Sequence, residues 1–214
     1  MSRACWGADA LGGAPACGSA SWGGTFDPIH HSHLHNAAMA AAACGLDHVV
    51  LVPTGEPCHK DPRGVSPSAD RFTMAEIACR PDPLLSVSRV EVDRPGPSYT
   101  VPTLRELRRT LGPTAELFLI VGTDTAEGMA QWYQAEAIPR LARLIVVGRA
   151  DHVPDPARLP RSGTYDPVPA SPWRISSTQI RARVRDRRPV RYLVPDGVAA
   201  YIAERGLYVG RPGG

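Results

Sequence analysis

What this chain of 214 residues lacks narrows its function before any motif is considered. It has no run of the 18 or so apolar residues needed to span a bilayer, and no apolar segment behind its N-terminal arginine that would make a secretory signal. Its five cysteines, Cys5, Cys17, Cys44, Cys58 and Cys79, form no CxxC pair, and their number is odd. They read as free thiols in a reducing cytosol rather than a disulfide framework or a zinc site. Neither charge dominates. The net charge is +3, and the arginines and acids are interspersed, so no basic field points to nucleic acid. What remains is a chain with 43% apolar residues, enough to build the core of one α/β domain.

Residues 1–17 are rich in Ala and Gly, carry no periodicity and read as a flexible extension. From there strand and helix patterns alternate. Ala20–Trp22 is a strand, weakened by Ser19 and Ser21, that runs into Gly23-Gly24. His33–Cys44 is an alanine-rich helix stopped by Gly45. Val49–Val52 is a short apolar run of the kind buried on both faces of a parallel sheet.

Ser66–Cys79 reads as a helix and Leu84–Val92 as a strand. Thr103-Leu104-Arg105-Glu106 reads as a capping box opening a helix that ends at Gly112. Leu117–Val121 and Leu144–Val147 are two more strands, with a helix over Asp124–Ala137 between them. Residues 150–172, with six prolines, read as a loop. A helix after Ser177 and another over Asp196–Glu204 finish the pattern. The alternation predicts an α/β fold, a doubly wound parallel sheet with a small helical C-terminal part over 18–214. In such a sheet ligands bind beyond the carboxyl ends of the strands, where the strand order reverses.

Two segments carry phosphate chemistry. The first runs from Gly23 to His33: Gly-Gly-Thr-Phe-Asp-Pro-Ile-His-His-Ser-His. Glycines after a strand let backbone N–H groups approach a phosphate, and a helix start supplies further N–H groups and a favourable dipole. His30 and His33, three apart, face the same way on a first helical turn and can donate to a phosphate oxygen. The same stretch contains His31, His33 and His35, which on a strand would share a face and suggest a metal-dependent hydrolase. Such an enzyme needs further ligands, and only His48, His59 and His152 remain. The second segment is Ile175-Ser176-Ser177-Thr178-Gln179-Ile180-Arg181. Its hydroxyls and N–H groups at a helix start can hold a phosphate, with Arg181 one turn on as a clamp.

Together these segments resemble the G-G-T-F-D-P-x-H-x-G-H and I-S-S-T-x-I-R signatures of the nicotinate-nucleotide adenylyltransferases. Pro57-Cys58-His59-Lys60, Arg71, Ser98-Tyr99-Thr100, Gly122-Thr123-Asp124, Trp132, Arg149, Tyr192–Asp196 and Gly206-Leu207-Tyr208 follow in the family's order, so the resemblance covers about residues 20–208. It departs at Ser32, where the family has glycine, and at Pro102, where a polar residue is usual.

The resemblance implies a Rossmann-like nucleotidyltransferase that joins AMP from ATP to nicotinate mononucleotide in the cytoplasm, with Mg²⁺ accompanying ATP. It implies small-molecule partners only, without nucleic acid or membrane, and leaves a homo-oligomer open. It assigns His30, His33 and Arg181 to catalysis. Gly23, Gly24, Thr25, Phe26, Lys60, Gly122, Asp124, Ser176, Ser177 and Thr178 go to ATP and its phosphates, and Thr100 and Trp132 to the nicotinate ring. No protein metal site is implied. The competing readings are another nucleotide or phosphopantetheine adenylyltransferase, a nucleotide-binding module without catalysis, and the metal hydrolase.

Overall fold

The branched apolar runs form the inner strands of a parallel sheet in the computed structural model, which describes residues 18–58, 64–112, 115–148, 165–170 and 173–209. The expected extension at 1–17 lies outside them. The strands are β1 (Gly18–Gly24), β2 (His48–Pro53), β3 (Leu85–Val87), β4 (Glu116–Gly122), β5 (Arg143–Gly148) and β6 (Tyr165–Pro169). Their order is β3-β2-β1-β4-β5-β6, every pair parallel. The chain winds outward on one side through β2 and β3, then crosses to β4 on the other side of β1. The crevice between the ends of β1 and β4 is therefore the topological switch point.

Side chains alternate across the sheet, as strand geometry requires. Val49, Leu51, Phe118, Ile120, Ile145 and Val147 enter one core layer with α1 (His31–Cys44), α2 (Ser68–Cys79), α6 (Ser177–Arg185) and α7 (Asp196–Glu204). Val50, Val52, Leu117, Leu119, Val121, Leu144 and Val146 enter the other with α3 (Thr100–Leu111), α4 (Thr123–Ala126) and α5 (Ile138–Leu141). The helical C-terminal part thus packs on the α1/α2 side of the sheet through Ile180, Val198 and Ile202. Among the described residues no helix is long and apolar enough to cross a membrane.

Several expectations are corrected. The strand anticipated over Leu84–Val92 holds only Leu85–Val87, because β3 is an edge with β2 as its one partner and the chain turns away after Ser88 bonds Leu51. The helix anticipated over Asp124–Ala137 is broken into α4 and two 3-10 turns, Met129–Gln131 and Ala135–Ala137, with Gly128 at the first break. The proline-rich loop contains β6. Ala170 N–H bonds Gly148 O, so alternate residues of β6 face β5. Pro167 and Pro169 have the opposite parity, and their missing N–H groups fall on the outer edge, where proline is tolerated.

The capping box at Thr103 does not form. Helix α3 begins at Thr100, and Pro102 fits its first turn, where N–H groups have no partner inside the helix. Conversely β1, weak on propensity, is the central strand with Ser19 and Ser21 buried, since ladders on both sides outweigh side-chain preference.

The loops at the carboxyl ends of β1 and β2 are tied together by Arg71 of α2, 1% exposed. Its guanidinium donates to Ser66 O, Thr25 O and Gly55 O, each at 2.9 Å. Gly55 itself is pressed against the carbonyl of Glu91, leaving no room for a Cβ. Replacing Arg71 with methionine strands three part-buried acceptors. We expect Arg71→Met to cost about 3 kcal/mol or more of unfolding free energy in urea titrations, with Arg71→Lys restoring only part.

Candidate active site

The crevice at the switch point opens into a cavity of about 590 Å³. One wall is the β1 end, Trp22, Gly23, Gly24 and Thr25. The floor is Leu119–Gly122 of β4, and the opposite wall runs through Ser98, Tyr99, Thr100 and Thr103 to Gln131, Trp132 and Tyr133. Six of the residues assigned a site role from sequence therefore line one space: Gly23, Gly24, Thr25, Thr100, Gly122 and Trp132. Gly24 has a steric reason as well as an electrostatic one. A Cβ there would lie 2.9 Å from the Phe26 ring. Phe26 has a left-handed backbone, φ 48°, uncommon for a bulky residue, and it turns the chain toward the histidines.

The histidines sit beside this space, against its β1 wall. His30 caps α1 and His33 lies in its first turn. Their rings stack with centroids 3.6 Å apart, and the His33 ring meets Phe26 and Trp22 edge-on at 5.1 and 6.0 Å. Burial lowers the His30 pKa from 6.5 to about 4, helped by the charge of His31. Burial, then the neighbouring His30, lowers His33 well below its ordinary value. Both rings are neutral at physiological pH.

His33 Nδ1 accepts the His30 backbone N–H at 3.2 Å, which puts its proton on Nε2 as a donor. Among the described residues His30 Nδ1 is buried and has no hydrogen-bond partner. The helix start itself offers less than expected, since His31 N–H bonds Leu193 O at 3.1 Å. Ser32 is the second residue of α1 and is not among the positive-φ positions, so its Cβ meets no backbone strain. His31, His33 and His35 lie on this helix, where residues two apart diverge, so the shared face of the metal-hydrolase reading does not exist.

The second phosphate segment docks onto the first. Ser177 Oγ donates to Pro28 O at 2.9 Å, and Arg181 Nη1 donates to Asp27 O at 2.8 Å. Ser176 accepts from Gln179 N–H as the cap of α6, and Arg181 Nη2 reaches Thr178 Oγ1 at 3.4 Å. The Ser177 and Thr178 N–H groups are left without intrahelical partners, as at any helix start. Asp124 is exposed in the first turn of α4 and does not line the cavity. Lys60 and Arg149 lie outside the described residues.

Sequence reading missed a polar cluster on the far wall. Glu91, 6% exposed, accepts from Thr103 Oγ1 at 2.7 Å and has Arg94 Nη2 at 4.0 Å. Burial raises its pKa against those partners. Tyr99 packs on Tyr133 with centroids 4.8 Å apart, closing the wall beside Trp132. Thr103 was legible as a cap, and only its position relative to Glu91 in space reveals the other use.

The two segments singled out from the sequence meet beside the switch point of a parallel sheet, as expected of a nucleotidyltransferase, and a family model described as cytidylyltransferase-like matches residues 22–183. A Streptomyces coelicolor protein is 50% identical over 189 residues, 88% of this chain and 99% of its own length. One from Acidothermus cellulolyticus is 44% identical over 199 residues, 90% and 94% of the two chains. Both bear the name "Probable nicotinate-nucleotide adenylyltransferase". The chain belongs to the nicotinate-nucleotide adenylyltransferase family. Its fold is also that of the Plasmodium falciparum nicotinic acid mononucleotide adenylyltransferase solved with NaAD, with a TM-score of 0.72 at 16% identity, covering 90% of this chain and 97% of that one.

The buried imidazoles make stability depend on pH with a definite sign. Folded His30 takes a proton only near pH 4, whereas the unfolded chain takes it near 6.5. Between these values the unfolded state binds more protons, so the His30 contribution is complete above 6.5 and lost as pH falls through 4. That contribution is roughly 3 kcal/mol. Urea titrations at pH 7.5, 6.5, 5.5 and 4.5 should show the parent losing more stability on acidification than His30→Gln.

Proposed function

We propose that this chain transfers the AMP part of ATP to nicotinate mononucleotide, giving nicotinate adenine dinucleotide and pyrophosphate in the cytoplasm. The observation that carries this reading is one cavity with a glycine-rich wall, Gly23–Thr25, facing Thr100 and Trp132, beside the stacked histidines and the start of α6. Two separate binding tasks are supported by this layout, with Gly23–Thr25 on one wall and Thr100 and Trp132 on the other.

In this reading Gly23, Gly24, Thr25 and Phe26 shape the ATP pocket, with Gly122 on its floor and Asp124 at its rim. The family resemblance assigns Lys60 to the phosphates. Trp132, half-buried beside the second core layer, stacks on the pyridine ring, and Thr100 holds its carboxylate. A phosphate oxygen of the mononucleotide attacks the α-phosphorus of ATP, the bond to the bridging oxygen breaks, and pyrophosphate leaves. That nucleophile is largely dianionic near neutral pH and needs no general base. The residues therefore align and stabilise charge. His30 and His33 donate as neutral imidazoles to oxygens that gain charge, and Ser176, Ser177, Thr178 and Arg181 hold the outgoing pyrophosphate.

Mg²⁺ accompanying ATP would be held by substrate oxygens and water and would neutralise phosphate charge.

Pyrophosphate release with a panel of acceptors tests the assignment. Nicotinate mononucleotide should be turned over in preference to its amide, and phosphopantetheine not at all. Equal rates with acid and amide would remove the role given to Thr100. Trp132→Ala should raise KM for the mononucleotide and leave that for ATP nearly unchanged. A variant that unfolds instead would make Trp132 a core residue.

His33→Ala should lower kcat by about 10²–10³, the size of one lost transition-state donor. Its circular dichroism should match the parent.

A further inference from the structure

Residues far apart in sequence converge on Asp27. Its side chain is 3% exposed. Oδ1 accepts from the Tyr208 hydroxyl at 2.7 Å, and Oδ2 from Ser66 N–H at 3.3 Å. Its backbone carbonyl accepts Arg181 Nη1 at 2.8 Å, and the carbonyl of the next residue, Pro28, accepts Ser177 Oγ. Asp27 follows Phe26, with its left-handed backbone, and lies three residues before His30. One residue thus sits between the glycine wall, the stacked imidazoles and the arginine clamp, and is held from the C-terminal turn, from the loop before α2 and from α6.

Tyr208 is held in a costly conformation to do this. Its φ is +64°, in the left-handed region, which costs a bulky residue of order 1–3 kcal/mol and persists only where surrounding contacts dictate it. Its ring packs on the α1/α2 core layer, and its hydroxyl lies 4.0 Å from Met74 Sδ. Burial, then the Asp27 charge, raises the phenol pKa, so the hydroxyl remains a donor across the working range. Arg71 does not compete for Asp27 through a hydrogen bond, because its guanidinium is committed to three carbonyls.

We propose that Tyr208 is a positioning residue for the transfer step, latching Asp27 so that its carbonyl keeps Arg181 across the phosphate site and its backbone keeps His30 in place. This role rests on the adenylyl-transfer reading. Tyr208 does not touch substrate. It acts through Asp27 on the two groups that meet the phosphates, and it is remote from the Thr100 and Trp132 wall. Its loss should therefore split the kinetic constants in a way that a simple loss of stability would not.

The test is Tyr208→Phe in the full chain, with nicotinate mononucleotide and ATP as substrates and α,β-methylene-ATP as a binding probe. We expect kcat to fall about tenfold or more, KM for the mononucleotide to stay within twofold, and affinity for the probe to drop severalfold. We expect Tyr208→Phe to cost less in an Arg181→Lys background than alone, because both changes act through Asp27. Parent-like kcat and probe affinity would overturn the latch, as would a loss that merely follows the fraction of unfolded protein. If the phenylalanine variant does not fold, Asp27→Asn keeps the side-chain volume and should give the same split, and parent-like constants there would overturn it. Should the parent fail to adenylylate the mononucleotide, the substrate reading falls. Probe affinity in parent and variant still decides the latch.

Discussion

Taking a guanidinium out of water is costly unless its donors are met, and Arg71 meets this requirement with carbonyls rather than with a carboxylate in contact. Each acceptor belongs to a different stretch: Thr25 after β1, Gly55 after β2, and Ser66 before α2. Irregular backbone at the end of a buried parallel strand has no ladder to satisfy its carbonyls, so such loops ordinarily stay at the surface. One fixed cation lets two of them fold back over the sheet, and Glu91 can then lie against Gly55. The shape of the cavity depends on that arrangement. Asp27 and Glu91 supply negative charge nearby without being consumed as direct partners of Arg71.

The electrostatics of the site follow from how deeply its two imidazoles are buried. Two imidazoles stacked at 3.6 Å cannot both be charged, and burial decides that neither is. A neutral imidazole with a fixed tautomer is a weaker anion binder than a cation but a better-aimed one. In the proposed transfer it would favour an oxygen as that oxygen gains charge more than it would favour the resting triphosphate. This is the distinction between stabilising a transition state and holding a substrate. In the proposed transfer Arg181 would supply the cation at the other end of the phosphate chain, where a product must be both held and released.

Much of this was legible in the sequence because the relevant signals are local. The runs Val49–Val52, Leu117–Val121 and Leu144–Val147 announce buried parallel strands, and the glycine, histidine and serine segments mark loops that meet beside the cavity. The misreadings have long-range causes. β6 is a strand because β5 offers it a ladder, although Pro167 and Pro169 argue against one. Thr103 looks like a helix cap until Glu91 arrives beside it from another loop. Tyr208 and Asp27 are 181 residues apart, and no spacing rule links them. Ser19 and Ser21 weaken β1 on propensity, yet pairing on both sides keeps it central.

The parity of the prolines in β6 has a further effect at the margin of the sheet. A parallel sheet that ends in an exposed strand is a template on which another chain can grow, because a row of free N–H and C=O groups waits there. At Pro167 and Pro169 the outward row of β6 has acceptors without donors. An approaching strand would find half of its hydrogen bonds missing at those positions. The two residues that obscure β6 in the sequence therefore also terminate the sheet, protecting an enzyme-sized core from edge-to-edge association at no expense to the ladder on its inner side.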